Sequence, residues 1–496
     1  MTMKTGISML SICILLVAFK IIITPYQLGI TPDSVKYIET AQKILMGRDF
    51  PRCLLHNHWP PIYPLLLSLM SYISGINIID VSIYLNMGLL LILWFLYAKI
   101  LFALEFHTII ILVLPILLFV SVPMTISLKL WSELPFVLVL MSMIYSFVQW
   151  HKTEQYQMLV IAGLWSILLI LTRYAGAGFI GSFSVMILWS KKVNYVRRVS
   201  ALVGYLSPIA MGIIIWFLVI KMNNGSLSDR DFEFHPIGVD KLQQSMLSMA
   251  SWFMKDIFSL VIFSCFWIGV GYFILTNKSG FMEYYSKKHA LIISFIIFGV
   301  GYYGFLIFSV SFFDAHTQMN NRILMPIFPV VLLVLGFIID FVLKNHQGFT
   351  RHILVIILCF SVLYSSGSIW MSHYQNGYDF THKRHHNDEL FIKDVLFKTP
   401  EVIYTNACDL VDYYSNFSVQ TKYLPYRILP TSKKYNKDYK AEKTRMFNLI
   451  KLGRGQLVYF DSIKRPYLMS KEEILKKLDD IPRRYFNGGV HIYLDK

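Results

Sequence analysis

Asp33 lies in the polar loop after the first apolar run, Glu133 starts another run, and Arg173 and Arg322 stand at the ends of two more, where an isolated charge is costly unless it pairs or binds something. Asp33 follows Pro32 and opens the helical pattern Ser34-Val-Lys-Tyr-Ile-Glu-Thr-Ala, which puts it at an N-cap or in a first turn. A carboxylate held there, at a partly dry membrane surface, can gain enough basicity to act as a general base; capping alone is the plainer role. Glu133, in Leu130-Trp131-Ser132-Glu133-Leu134-Pro135, is the second catalytic candidate, or an acid that suits a helix start. Arg322, after Asn320-Asn321, and Arg173 can grip a phosphate through paired N–H donors, or snorkel to lipid headgroups. Two carboxylates meeting from separate loops can share a divalent ion. His56, His58 and His316 can add neutral imidazole ligands, although spacing this loose equally fits surface histidines.

The elements that position these residues are membrane helices. Of 496 residues 55% are hydrophobic and only 15% charged, and the mean hydropathy is +0.52, which excludes an ordinary soluble globule and a disordered chain. The net charge of +16 reads as basic cytoplasmic loops rather than a nucleic-acid surface, since no recognition motif accompanies it. Five cysteines without CxxC spacing give neither a zinc ribbon nor a disulfide framework.

Apolar runs near 6–26, 80–103, 106–122, 134–150, 157–172, 174–190, 199–220, 255–275, 290–311, 322–342 and 351–371 make about eleven spans. The short run 62–74, behind Pro60, Pro61 and Pro64, reads as an interfacial helix on the outer leaflet. Basic connectors at Lys191-Lys192, Lys287-Lys288 and Lys344 belong in the cytoplasm. That parity places the loop 27–79 and everything after Met371 outside. The expected architecture is therefore a polytopic α-helical membrane domain, 1–371, followed by a small extracytoplasmic α/β domain, 372–496. In the latter, strands are expected at 402–405, 456–460 and 490–494 and helices at 407–416 and 471–478.

Several motifs together resemble one family: Pro32-Asp33-Ser34 with Tyr37 and Ala41, Trp59-Pro60-Pro61 with Pro64, Leu171-Thr172-Arg173-Tyr174, and Asn321-Arg322 with Leu324 and Pro326. They are similar to the GT-C superfamily of polytopic membrane glycosyltransferases, which includes the protein O-mannosyltransferases of glycosyltransferase family 39 and the aminoarabinose transferases of lipid A. The resemblance covers about the first 340 residues. It implies a GT-C fold and a sugar donor carried on a polyprenyl phosphate, used on the extracytoplasmic face; short basic loops and high Ile, Lys and Asn usage point to a bacterial inner (plasma) membrane. It also implies Asp33 as the catalytic acid/base residue and Glu133 as the second catalytic acidic residue; the positive charge that a departing lipid phosphate needs is expected from Arg322 and Arg173, with Tyr174 beside them. The acceptor is then a hydroxyl on a glycan, lipid or protein, and membrane lipid is the other partner.

The chain departs from the family pattern twice. Asp33-Ser34 stands where the mannosyltransferases often have paired acids, and His58-Trp59-Pro60 stands where the aminoarabinose transferases carry an acidic-Lys-Pro motif. A divalent ion, if used, then has His58 and His316 as candidate ligands. Two other readings share the membrane setting: a polymerase or ligase of lipid-linked glycans, and a transporter or flippase of lipid-linked sugars, for which no inverted repeat is visible.

Overall fold

The computed structural model describes residues 3–47, 60–189, 194–222, 232, 234–313, 317–346, 348, 350–395, 402–429, 435–486 and 488–494. Two compact units emerge: Met1–Leu28 with Thr40–Gln375, and Gly29–Glu39 with Asn376–Lys496.

The first unit is helical, as apolar chain must be where no water can satisfy its backbone. Its helices are α1 (Met3–Ile22), the end of α2 (Pro32–Leu45), α3 (Ile62–Ser74), α4 (Ile78–Ala103), α5 (Thr108–Val120), α6 (Glu133–Thr153), α7 (Tyr156–Thr172), α8 (Ala177–Trp189), α9 (Tyr195–Met222), α10 (Val239–Ala250), α11 (Ile257–Thr276), α12 (Lys278–Phe312), α13 (Asn321–Leu324), α14 (Phe328–Asn345) and α15 (Thr350–Asn376). Among the described residues seven helices are long and apolar enough to cross a membrane: α4, α6, α9, α11, α12, α13 continuing into α14, and α15.

The other expected spans fall on shorter apolar helices, and the sequence supplies the reason. Pro123 opens a 3-10 turn, Pro123–Leu128, just beyond α5, and Arg173 is an extended residue between α7 and a second 3-10 turn, Tyr174–Gly176. The α3 helix buries Tyr63, Leu67 and Ser71 on one face and exposes Tyr72 and Ile73. It stops at Gly75, whose φ of +67° suits a residue without Cβ. Its 13 residues reach about 20 Å at 1.5 Å per residue, short of a hydrocarbon core.

The basic stretch 278–289, expected as a connector, is instead the start of the 35-residue α12. It contains no proline, Asn277 accepts from the Gly280 N–H at 3.1 Å, and Glu283 pairs with Lys287 one turn on. Within the unit α6 packs on α4 and α7, α7 on α9, and α12 on α8 and α14. Gly163 permits the α7–α9 approach, since a Cβ there would meet Pro208 and the Tyr205 carbonyl at 2.4 Å.

The second unit is α/β. Strands β1 (Val402–Thr405), β2 (Thr421–Tyr423), β3 (Gly455–Phe460), β4 (Arg483–Phe486) and β5 (Gly489–Ile492) form one sheet in the order β2-β1-β3-β5-β4. The first three are parallel, and β5 is antiparallel to both β3 and β4. Helices α16 (His386–Val395), α17 (Cys408–Tyr414), α18 (Tyr439–Lys451) and α19 (Lys471–Lys477) complete the unit. Its core joins Val402, Leu457, Val490 and Ile492 of the sheet to Met446 and Ile450 of α18 and Ile474 of α19. The unit boundary lies inside α2, after Glu39, so the segment carrying Asp33 counts with the C-terminal α/β unit.

Candidate active site

The first unit gathers three of the sequence-derived candidates at the ends of its helices. Glu133 opens α6 and is 1% exposed. Its Oε1 accepts from Arg173, in the break after α7, and from Arg322, on α13. A buried carboxylate is tolerable here because two guanidiniums share it.

The arginines are themselves positioned by backbone. Arg173 N donates to the Leu169 carbonyl at 2.9 Å, and its own carbonyl accepts from Gly176 N at 2.9 Å. Arg322 N donates to Asn320 Oδ1 at 3.1 Å, while Asn321 Oδ1 accepts from Trp252 Nε1 at 2.8 Å. Tyr302 anchors the same helix by donating to the Ile323 carbonyl at 3.0 Å. Tyr174 is half-buried and begins the 3-10 turn beside Arg173.

Sequence reasoning did not single out three further groups. Trp131 carries the Arg322 guanidinium 4.1 Å from its ring centre and the Lys129 ammonium at 4.2 Å. Asn86, fully buried on α4, donates from Nδ2 to the Ser127 and Lys129 carbonyls, each at 3.1 Å, and so fixes the turn leading to Glu133. Lys20 is fully buried, 3.1 Å from Ser127 Oγ and 3.5 Å from the Trp370 ring centre. A lone charge in the α1 apolar run was the available signal for Lys20; nothing in the sequence announced Asn86.

The cluster has a sign. Around one carboxylate stand Arg173 and Arg322, with Lys129 on the same indole, so positive charge is in excess and the site is suited to an anion. Glu133 Oε2 finds no hydrogen-bond partner among the described residues, which leaves one buried acceptor for a ligand hydroxyl.

For a divalent metal ion the described residues offer a limited donor set. Glu133 offers one oxygen beside two guanidiniums, and among the described residues no three His, Cys, Asp or Glu side chains gather. The expected ligands His58 and His316, and with them His56, lie outside the described residues.

Asp33 belongs to the second unit. It is the second residue of α2, not the cap: Thr31 and Ser34 exchange the capping bonds, with Thr31 N 3.0 Å from Ser34 Oγ and Ser34 N 3.3 Å from Thr31 Oγ1. The Asp33 carboxylate thus sits half-buried in the first turn, with the cap provided by its neighbours.

No protein-family model matches the sequence, and no curated protein does. Solved structures do match in fold. ArnT of Cupriavidus metallidurans, solved with undecaprenyl phosphate, superposes with a TM-score of 0.62 at 10% identity, over 99% of this chain and 98% of that one. The mycobacterial arabinofuranosyltransferase AftD matches 99% of this chain and 40% of its own, with a TM-score of 0.57 at 11% identity. The oligosaccharyltransferase AglB of Archaeoglobus fulgidus, in complex with an inhibitory peptide and a dolichol-phosphate, gives 0.54 at 10% identity over 93% and 70%. The protein is a multi-pass α-helical membrane protein with the fold of the GT-C glycosyltransferases.

Proposed function

We propose that the protein moves a sugar from a polyprenyl-phosphate donor to an acceptor hydroxyl on the extracytoplasmic face of the inner membrane. The observation that carries this reading is the cationic cluster on Glu133, at the ends of apolar helices, two of which, those that begin near Glu133 and Arg322, are long and apolar enough to cross a membrane. A lipid phosphate cannot leave the bilayer surface, so its receptor has to be a fixed, partly buried set of cations at that level. Neighbours of the same fold bound to undecaprenyl phosphate and dolichol-phosphate support the choice of anion.

In this reading Arg322 and Arg173 take the donor phosphate, with Tyr174 beside them, and Glu133 holds the two guanidiniums in register. Asp33 is the general base. The acceptor oxygen bonds to the anomeric carbon as the anomeric carbon–oxygen bond to phosphate breaks. The bonding pair goes to the phosphate, the hydroxyl proton goes to Asp33, and the anomeric configuration inverts. The products are a glycoside and the free lipid phosphate.

The test is transfer from a radiolabelled panel of polyprenyl-phosphate sugars by the purified protein in nanodiscs. Label should leave one donor with the wild type, and Asp33→Asn should lower the rate by about 100-fold or more. Undiminished turnover by Asp33→Asn removes Asp33 from the chemistry, and a wild type that accepts no donor while moving lipid-linked sugars across the membrane replaces the transferase with a flippase.

A further inference from the structure

Just before α13 the chain runs through residues 317–320 without helix or strand, so its backbone polar groups need partners from elsewhere. Helix α10 supplies several. Lys241 Nζ donates to the Thr317 carbonyl at 3.0 Å, Gln244 Oε1 accepts from Met319 N at 3.0 Å, and Ser248 Oγ donates to the Met319 carbonyl at 3.3 Å. In the turn that ends α10, Trp252 Nε1 donates to Asn321 Oδ1 at 2.8 Å, and Ser251 Oγ accepts from Asn321 Nδ2 at 3.4 Å. The next residue is Arg322.

Lys241, Gln244, Ser248 and Trp252 recur at three- and four-residue intervals and so share one side of the helix. Val239 and Met246, on the opposite side, are exposed, so the face that grips is the polar one. The grip is anchored in turn. Ser245 Oγ stands 2.7 Å from the Tyr303 hydroxyl of α12, next to the Tyr302 that donates to the Ile323 carbonyl. Trp252 is buried and packs edge-on against Phe328 at the start of α14, with 5.3 Å between ring centres. Met319 is fully buried as well, so its N–H has no water to replace the Gln244 acceptor.

We infer that α10 is a latch on the segment 317–321 and that Gln244 and Trp252 are positioning residues for Arg322. The inference rests on Arg322 taking the donor phosphate. Glu133 fixes the guanidinium, but a side chain pinned only at its tip swings with its backbone, and the four-residue α13 is too short to hold that backbone alone. The loop between α9 and α11 thereby gains a part in donor binding: it keeps the main chain of Arg322 where guanidinium, Glu133 and phosphate can meet.

The experiment uses full-length protein in nanodiscs, with undecaprenyl phosphate as the probe and Gln244→Met, Gln244→Glu, Trp252→Phe and Arg322→Lys beside the wild type. Methionine keeps the length of glutamine without its acceptor, glutamate keeps an acceptor, and phenylalanine keeps a ring against Phe328 without the indole N–H. Gln244→Met and Trp252→Phe should each weaken binding about tenfold, whereas Gln244→Glu should stay within about twofold of the wild type. Amide exchange over 317–322 should speed up in the two weakened variants and not in Gln244→Glu, with exchange in α6 unchanged in all three. If Arg322→Lys loses affinity while Gln244→Met binds as the wild type does, the latch is overturned and the phosphate assignment stands. Equal losses in Gln244→Met and Gln244→Glu also overturn it, because the acceptor is then immaterial. Should Gln244→Met fail to fold, Trp252→Phe decides by the same criterion. A wild type that binds no undecaprenyl phosphate removes the role of Arg322, and the latch falls with it.

Discussion

The clusters around Glu133 and around Lys36 solve opposite problems. In the membrane unit one carboxylate, 1% exposed, is shared by two arginines whose side chains are 19% and 23% exposed, with a third cation on the adjoining indole. In the C-terminal unit Lys36 pairs with Glu39 at 3.2 Å, and, against its burial, the charges of Glu39, Asp409 and Asp412 hold its ammonium above the ordinary value. The first arrangement leaves positive charge unspent, as a receptor for an anion must. The second leaves its lysine among an excess of negative charge. A binding site for an anion has to be under-neutralised, whereas a lysine among surplus acids has no charge to spare.

Removing the shared carboxylate tests the first half of that contrast and should have the largest effect. Glu133→Gln leaves two guanidiniums without their counter-charge and should cost about 3 kcal/mol of stability, with transfer lost as the arginines separate. Thermal unfolding in nanodiscs reads this directly. An unaltered melting temperature would mean that Arg173 and Arg322 find other partners and that Glu133 is not the keystone of the cluster.

A smaller effect is expected at the ligand side. Arg322→Lys keeps the charge but loses the planar contact with Trp131 and the Nε bond to Glu133. Affinity for undecaprenyl phosphate should fall about tenfold, or roughly 1.4 kcal/mol, with the fold intact. Equal affinity in the variant would assign the phosphate to Arg173 and Lys129 instead.

These sites were legible in the sequence to different depths. Arg173, Arg322 and Glu133 each announced themselves as costly charges at helix ends, but their convergence did not: Arg322 and Glu133 are 189 positions apart, and only the packing of α6, α7 and α13 brings them together. Asn86 carried no signal, because a buried asparagine looks the same in sequence whether it holds a turn or not. Strands β1 and β3 and helix α17 were readable from buried runs and spacing. The three-residue β2 and the charged β4 were not, since neither has the apolar run that marks a strand, and α18 hides Met446, Phe447 and Ile450 among lysines and glutamate. The assignment of Gly29–Glu39 to the C-terminal unit was out of reach for the same reason: it depends on main-chain contacts to residues 379–380.

The least disruptive change probes the other half of the contrast. Asp412 is a buried acid whose carboxyl is raised from 3.8 to about 6, chiefly by burial. Between those values the folded chain holds a proton that the unfolded chain has released, so stability falls as pH rises from about 4 to about 6 and the loss is complete above that. Asp412→Asn removes the buried charge and should therefore melt higher than the wild type at pH 7.5 and nearly level with it at pH 4. If Asp412→Asn is less stable at neutral pH, the Lys36 attraction outweighs the burial of the acid, and the cluster is a net support of the fold.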